Sequence, residues 1–427
     1  MQPLGRGMSE SGERRMIIRS RIVATMDGPP IENGAVAIFG NRIIDVGNFP
    51  EVSARHSGQE IVDLGEQALL PGFINAHCHL DYTCLRGKIP SQQSFADWIR
   101  EINTEKAKLA QDDYVASIAK GFTEAKRFGT TTIANFTAFP ELIPRIDPPI
   151  RTWWFAELID VRSPERANEL VDLAIESLKS AQNWGLAPHA LFTASKDLYR
   201  RCEEIARRQN VLLTTHLAES REEMSMFRDG SGPLYEFMEN IGRPMDDCGR
   251  ETPLAKFVGR LSSASLPEWI FAHLNELTES DFELLERSTW KFHVVHSPRS
   301  HGYFAHSRFP FERLRTLGFN VCLGTDSLAS NESLSLFAEM RTFQRSQPAI
   351  SPDKILEMVT LNPAMALHQE NVLGRIRRGF QADLVSVTCS GSPNFFEEIV
   401  AFDGPVDWML LNGKQRRNTP GAAKLSR

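Results

Sequence analysis

The chain alternates eight times between a short apolar run and a helix-like stretch, and this alternation restricts its fold more than any other feature. The runs are 68–76 (ALLPGFINA), 129–136 (GTTTIANF), 151–159 (RTWWFAELI), 186–193 (LAPHALFT), 211–217 (VLLTTHL), 269–274 (WIFAHL), 290–296 (WKFHVVH) and 320–325 (NVCLGT). Between them, stretches such as 113–127, 164–184, 196–209, 279–286 and 334–346 place apolar residues at three- and four-residue spacing with charges between, the helical pattern. Strand–helix units in series imply parallel strands joined by right-handed crossovers. Eight of them over about 70–365 predict an α/β fold, a (β/α)8 TIM barrel of roughly 250 residues. A doubly wound open sheet is the competing architecture, but no glycine-rich phosphate fingerprint follows a first strand.

The two ends read differently. Residues 16–67 and 374–415 hold short strand-like segments divided by Gly, Asp and Asn, and neither end alone offers enough apolar surface for a core. Together they predict one small β-sandwich, so the expected domains are 1–67 and 369–427 as its two parts, with 68–368 as the barrel. The closing GAAKLSR is expected to fray. With 41% hydrophobic and 24% charged residues and a net charge of −6, the chain matches soluble globular usage and argues against a nucleic-acid or anionic-membrane surface. The opening MQPLGRGMSESGERR lacks the apolar core of a secretory signal, and the six cysteines show no C-x-x-C pairing. Both point to a cytoplasmic protein with reduced thiols.

If the barrel is right, chemistry belongs at the C-terminal ends of its strands. Those ends carry His77 and His79 on strand one, His189 on four, His216 on five, His273 on six, His296 on seven and Asp326 on eight. In a strand, i and i+2 share a face, so the two imidazoles of HCH project side by side. Neutral imidazole is the commonest metal ligand. Each histidine alone reads as structural; the joint placement does not. His293 and His301 read as structural or surface residues, and His306 is undecided.

PGFINAHCH at 71–79, the H-x-x-E of His216 and Glu219, His273 on strand six and the GTD of 324–326 together resemble the amidohydrolase superfamily, in its mononuclear branch of nucleobase and nucleoside deaminases and triazine hydrolases. The resemblance spans nearly the whole chain. It implies that His77, His79, His216 and Asp326 bind one divalent metal, zinc with iron as the alternative. Dinuclear members carry a bridging carbamylated lysine on strand four, where this chain has His189; that supports one metal.

The residue types suggest their roles. Three imidazoles and a carboxylate leave an open position for water, and the metal would make hydroxide available at neutral pH. Glu219, His273 and Asp326 form the expected catalytic set: Glu219 moves protons, His273 orients the nucleophile and Asp326 holds a water proton. His189 is expected to hydrogen-bond the substrate, with barrel-mouth packing as its alternative.

The loop HLDYTCLRGKIPSQQSFADWIREI, GSGPLYEFMENIG at 230–242, HSPRSH at 296–301 and LGTDSLASN at 323–331 most resemble aminodeoxyfutalosine deaminases of menaquinone biosynthesis. That resemblance implies a small nucleoside substrate with a benzoate on its 5′ side. Arg299 is the expected carboxylate clasp and Arg86 the second candidate, while pairing of Arg299 with Glu332 is the competing reading. Methylthioadenosine or S-adenosylhomocysteine deaminase, guanine deaminase and triazine chlorohydrolase run on the same machinery. Ile99 and Arg100 after Trp98, and His301 at the end of HSPRSH, depart from the methylthioadenosine pattern. An inactive metal-binding interaction module is the reading from another class, and the intact Glu219 speaks against it. Assembly as a homodimer stays open.

Overall fold

The computed structural model describes residues 15–90, 94–260, 268–288, 292–391 and 394–416. The tail GAAKLSR, most of MQPLGRGMSESGERR and the start of the run at 290–296 therefore lie outside the described residues. The chain divides into two compact units. One takes the residues up to Gly72, Asn371–Phe395 and those from Val406 on; the other takes Phe73–Glu370 and Phe396–Pro405.

The terminal unit is a single mixed sheet drawn from both ends of the chain. Arg15–Val23 is its hub, antiparallel to Ile31–Phe39 and parallel to Glu60–Asp63 and Gln67–Pro71. Gln67–Pro71 in turn pairs antiparallel with Leu384–Thr388, which stitches the two ends of the sequence together. The two layers expected of a sandwich are thus hydrogen-bonded into one sheet with apolar residues on both faces. Met16 and Ile18 join a cluster with Val36, Leu384 and Trp408, whereas Ile17 packs with Ala35, Ala37 and Val52 on the other face, as the two-residue period of a strand requires.

The second unit is the barrel. Its strands are Phe73–His79, Thr130–Thr137, Arg151–Leu158, Asn183–Pro188, Leu212–Leu217, Trp269–His273 and His293–His296, each parallel to the next, with an eighth strand in two pieces. Asn320–Leu323 pairs with strand seven and Asp326–Ser327 with strand one, so the eighth strand closes the ring. Gly324 makes the closure possible. A Cβ there would lie 2.7 Å from the carbonyl oxygen of His77, and Thr325 N donates to that same oxygen at 3.0 Å. Every residue of strand one is buried, as expected where both faces of a parallel strand are covered.

Local signals place the helices. Lys196–Gln209 begins where Ser195 Oγ accepts from Leu198 N and ends at Asn210 in the left-handed conformation. The stretch 164–184 is not one helix. It comprises a 3-10 turn, Pro164–Arg166, then Ala167–Leu178, and Trp184 already belongs to strand four. Strand four needs Gly185, whose Cβ would stand 2.4 Å from the Phe155 ring. Among the described residues no helix is long and apolar enough to cross a membrane.

Candidate active site

His77 and His79 leave strand one on the same face, His216 is the penultimate residue of strand five, and Asp326 opens the second half of strand eight. His79 Nε2 and His216 Nε2 stand 3.3 Å apart, and Asp326 Oδ1 lies 3.6 Å from His77 Nε2 and 3.8 Å from His79 Nε2. His77 is fully buried, yet among the described residues neither of its ring nitrogens has a hydrogen-bond partner. Buried polar atoms are normally satisfied, so the four groups describe a place for a cation. Zinc–nitrogen bonds of about 2.0–2.1 Å in tetrahedral geometry put ligand atoms about 3.3 Å apart, the spacing of His79 and His216. The donor set fits one divalent ion.

The shell behind these groups is built to hold them. Asp326 Oδ2 accepts from Ser300 Oγ at 2.6 Å and Oδ1 from Ser327 N at 2.7 Å. His216 Nδ1 donates to the carbonyl of His189 at 3.1 Å. Ala218, His273, Leu274 and Asp326 all have positive φ, 51°, 81°, 48° and 56°, a left-handed conformation that costs of order 1–3 kcal/mol per non-glycine residue and gathers at functional sites. Burial pushes the imidazoles of His79, His189 and His273 well below their usual range and His216 to about 3, which keeps them neutral, the form that binds metal. Burial alone would raise the Asp326 carboxyl, but the facing imidazoles of His77, His273 and His79 hold it well below the carboxylate range.

Glu219 is set apart from the tetrad. It is buried, with Oε1 3.7 Å from His273 Nε2, its amide donating to Glu223 Oε2 at 2.7 Å and its carbonyl accepting from Asn275 Nδ2. Burial first, then the charges of Asp326 and Glu223, raises its carboxyl well above the ordinary value. This side chain therefore keeps its proton to higher pH than an exposed glutamate does. His79, His189, His216, Glu219, His273 and Asp326 all line one cavity of about 610 Å³.

The two arginines expected to read the substrate do not line this cavity. The chain after strand seven folds into a helix, Pro298–Tyr303; this turns Ser300 toward Asp326 while the Arg299 guanidinium pairs with Glu332 at 2.8 Å. Arg86, just beyond the 3-10 helix Leu80–Leu85, pairs with Glu124 and is half exposed. Lys106, Arg162 and Arg166 line the cavity in their place. His296 also falls outside the lining, stacked on Phe309 with ring centroids 3.9 Å apart. His293 holds Glu268 at 2.6 Å, and His301 Nδ1 lies 3.1 Å from Asn275 Oδ1. Sequence reasoning missed Glu157, near the end of strand three, whose oxygen lies 3.7 Å from His79 Nδ1 and 4.0 Å from His189 Nε2. The available signal was a lone carboxylate in the apolar run RTWWFAELI.

The amidohydrolase family model matches residues 68–415. The chain belongs to the amidohydrolase family. Among its relatives, the 5-methylthioadenosine/S-adenosylhomocysteine deaminase of Syntrophobacter fumaroxidans is 31% identical over 399 residues, 88% of this chain and 85% of that protein. The fold matches the solved structure of Helicobacter pylori aminofutalosine deaminase in complex with methylthio-coformycin, with a TM-score of 0.83 at 20% identity, covering 94% of this chain and all of that one. It also matches an adenosine deaminase from Xanthomonas campestris with bound zinc, with a TM-score of 0.75 at 23% identity, covering 94% and 92%. This amidohydrolase is a hydrolase acting on C–N bonds, in a family of adenosine-type deaminases.

Proposed function

We propose that this amidohydrolase is a zinc-dependent hydrolytic deaminase of an adenine nucleoside with a carboxylate-bearing 5′ group, 6-aminodeoxyfutalosine being the substrate that fits best. The reading rests on one observation: a raised, buried Glu219 and three of the four cation-site residues, His79, His216 and Asp326, share a cavity with Arg162 and Arg166. Next to those arginines, Ile159 and Leu173 remain 43% and 58% exposed while lining the same cavity, an apolar surface suited to a planar aromatic group. The Arg162 guanidinium can then take the carboxylate with two parallel hydrogen bonds, whereas Arg166 is held by Glu169 through Nε at 2.9 Å and Nη2 at 2.8 Å. In this reading Arg162 does the work first expected of Arg299 and Arg86.

A divalent cation held by His77, His79, His216 and Asp326 would lower the pKa of a coordinated water from about 15.7 toward about 7. Glu219, protonated through burial, donates its proton to the ring nitrogen beside the amine-bearing carbon. It then takes a proton from the incoming water and passes it to the departing amine; one C–O bond forms, one C–N bond breaks and ammonia leaves, and the proton left on the new oxygen returns to Glu219 as the carbonyl forms. Neutral His273, 3.7 Å from Glu219, orients the attacking oxygen. Ser300 holds Asp326 Oδ2, which leaves Oδ1 directed at His77 and His79.

Methylthioadenosine or S-adenosylhomocysteine deamination is the second reading, favoured by the 31% identity to such an enzyme. Ammonia release from adenosine, 5′-deoxyadenosine, methylthioadenosine, S-adenosylhomocysteine, guanine and 6-aminodeoxyfutalosine separates the two. The highest kcat/KM is expected on 6-aminodeoxyfutalosine. A higher value on S-adenosylhomocysteine supports the second reading, and no ammonia from any of the six refutes deamination of this class.

A further inference from the structure

The geometry points to Glu157 as the residue that positions His79, by accepting a hydrogen bond from its Nδ1 and so fixing which ring nitrogen faces the cation; this rests on the tetrad assigned above. His79 presents Nε2 toward His216 Nε2 and Asp326. A neutral imidazole has one proton, so with Nε2 committed to a cation the proton must sit on Nδ1. Among the described residues that donor is buried without a hydrogen-bond partner, and so is Glu157 Oε1, 3.7 Å away. Among the described residues this oxygen is the acceptor that faces it. A small rotation of either side chain brings the pair to hydrogen-bond distance, about 2.9 Å.

His216 already shows the same arrangement. Its Nδ1 donates to the His189 carbonyl at 3.1 Å while its Nε2 faces the site. Metal-bound histidines almost always hand their second N–H to such an acceptor, which sets tautomer and ring orientation. Tyr82 stacks beside the His79 ring with centroids 5.9 Å apart and planes 19° apart, leaving in-plane direction to be set by Nδ1. Glu157 also stands 4.0 Å from His189 Nε2, while His189 Nδ1 lies 2.6 Å from Thr193 Oγ1. One carboxylate therefore lies between a cation ligand and the histidine of strand four.

The test is zinc affinity, read by chelator competition on the wild type, Glu157→Met, Glu157→Gln and His79→Ala. Glu157→Met keeps the volume and removes the acceptor, and zinc affinity is expected to fall about 10- to 100-fold, the usual effect of losing such a partner. Glu157→Gln keeps an acceptor oxygen and should restore affinity close to wild type. His79→Ala should empty the site. An unchanged zinc affinity in Glu157→Met, with or without a raised KM, overturns the inference, as does a loss in Glu157→Gln equal to that in Glu157→Met. Should Glu157→Met not fold, the zinc-loaded wild type decides by NMR. A slowly exchanging downfield Nδ1 proton on His79 is expected, and its absence is contrary to the proposal. If the wild type itself binds no zinc, the tetrad assignment fails instead.

Discussion

Replacing Glu219 with glutamine separates the proton chemistry from everything else at the site. The amide fills the same buried volume, and the contacts of the Glu219 backbone with Glu223 and Asn275 are unaffected. Metal content and KM should therefore stay near wild type. What disappears is a group that can give and take a proton beside His273. General acid–base groups contribute at least about 10²-fold, equivalent to about 2.7 kcal/mol of barrier, so kcat should fall by that factor or more in metal-replete enzyme. The same substitution carries a stability signature. The folded Glu219 carboxyl titrates well above the ordinary value of 4.5 because of burial. Above about pH 4.5 the unfolded chain has released a proton that the folded protein still holds. Stability contributed by the protonated form is thus lost as pH rises through the folded value. Glu219→Gln removes that loss, so in metal-free protein its Tm should exceed wild type at pH 8 and approach it near pH 4. Steady-state ammonia release and pH-resolved thermal unfolding read the two effects. Near-normal kcat in a metal-replete Glu219→Gln enzyme would refute the assignment of the proton shuttle.

Arg162→Met should raise KM for a carboxylate-bearing nucleoside by the equivalent of roughly 0.2–1 kcal/mol, the range for exposed charge pairs, and leave adenosine nearly unaffected; equal changes on both substrates would contradict the clasp. Arg299→Met, which removes a pair with the 90%-exposed Glu332 side chain, should shift stability by no more than about 1 kcal/mol and leave both KM values alone. Gly324→Ala puts a methyl group 2.7 Å from the His77 carbonyl oxygen and 2.9 Å from its Cβ, so strand eight must retreat from strand one, costing about 1–3 kcal/mol of stability and weakening metal retention. Equilibrium unfolding and metal analysis check it.

Much of this was legible in the sequence because its signals are local. A Ser cap and a left-handed Asn bound the helix Lys196–Gln209, and the two-residue spacing of His77 and His79 placed both rings on one face. Strand boundaries held where a run was apolar throughout, as at Arg151–Leu158. Trp184 was drawn into a helix because a buried strand and the end of an apolar helix share one pattern; only the packing of Gly185 against Phe155 separates them. For Arg299 the sequence left two readings, substrate clasp and pairing with Glu332, because its direction depends on a six-residue helix where a one-residue step turns a side chain by about 100°; the structure shows the pairing. His296 sits at a strand end like the ligands, yet it stacks on Phe309, a partner thirteen positions away that periodicity does not reveal. Glu157 was overlooked because its significance comes from His79 and His189, which the fold brings beside it from two other parts of the chain.

The central claim is that His77, His79, His216 and Asp326 hold one catalytic cation, and elemental analysis of the purified enzyme and of its Asp326→Asn and His79→Ala variants tests it most directly. The geometry predicts close to one zinc or iron per wild-type chain, and little metal and little turnover in either variant, because four ligands from strands one, five and eight describe a single site. Two tightly held ions per wild-type chain, or full metal retention after loss of His79, would contradict it.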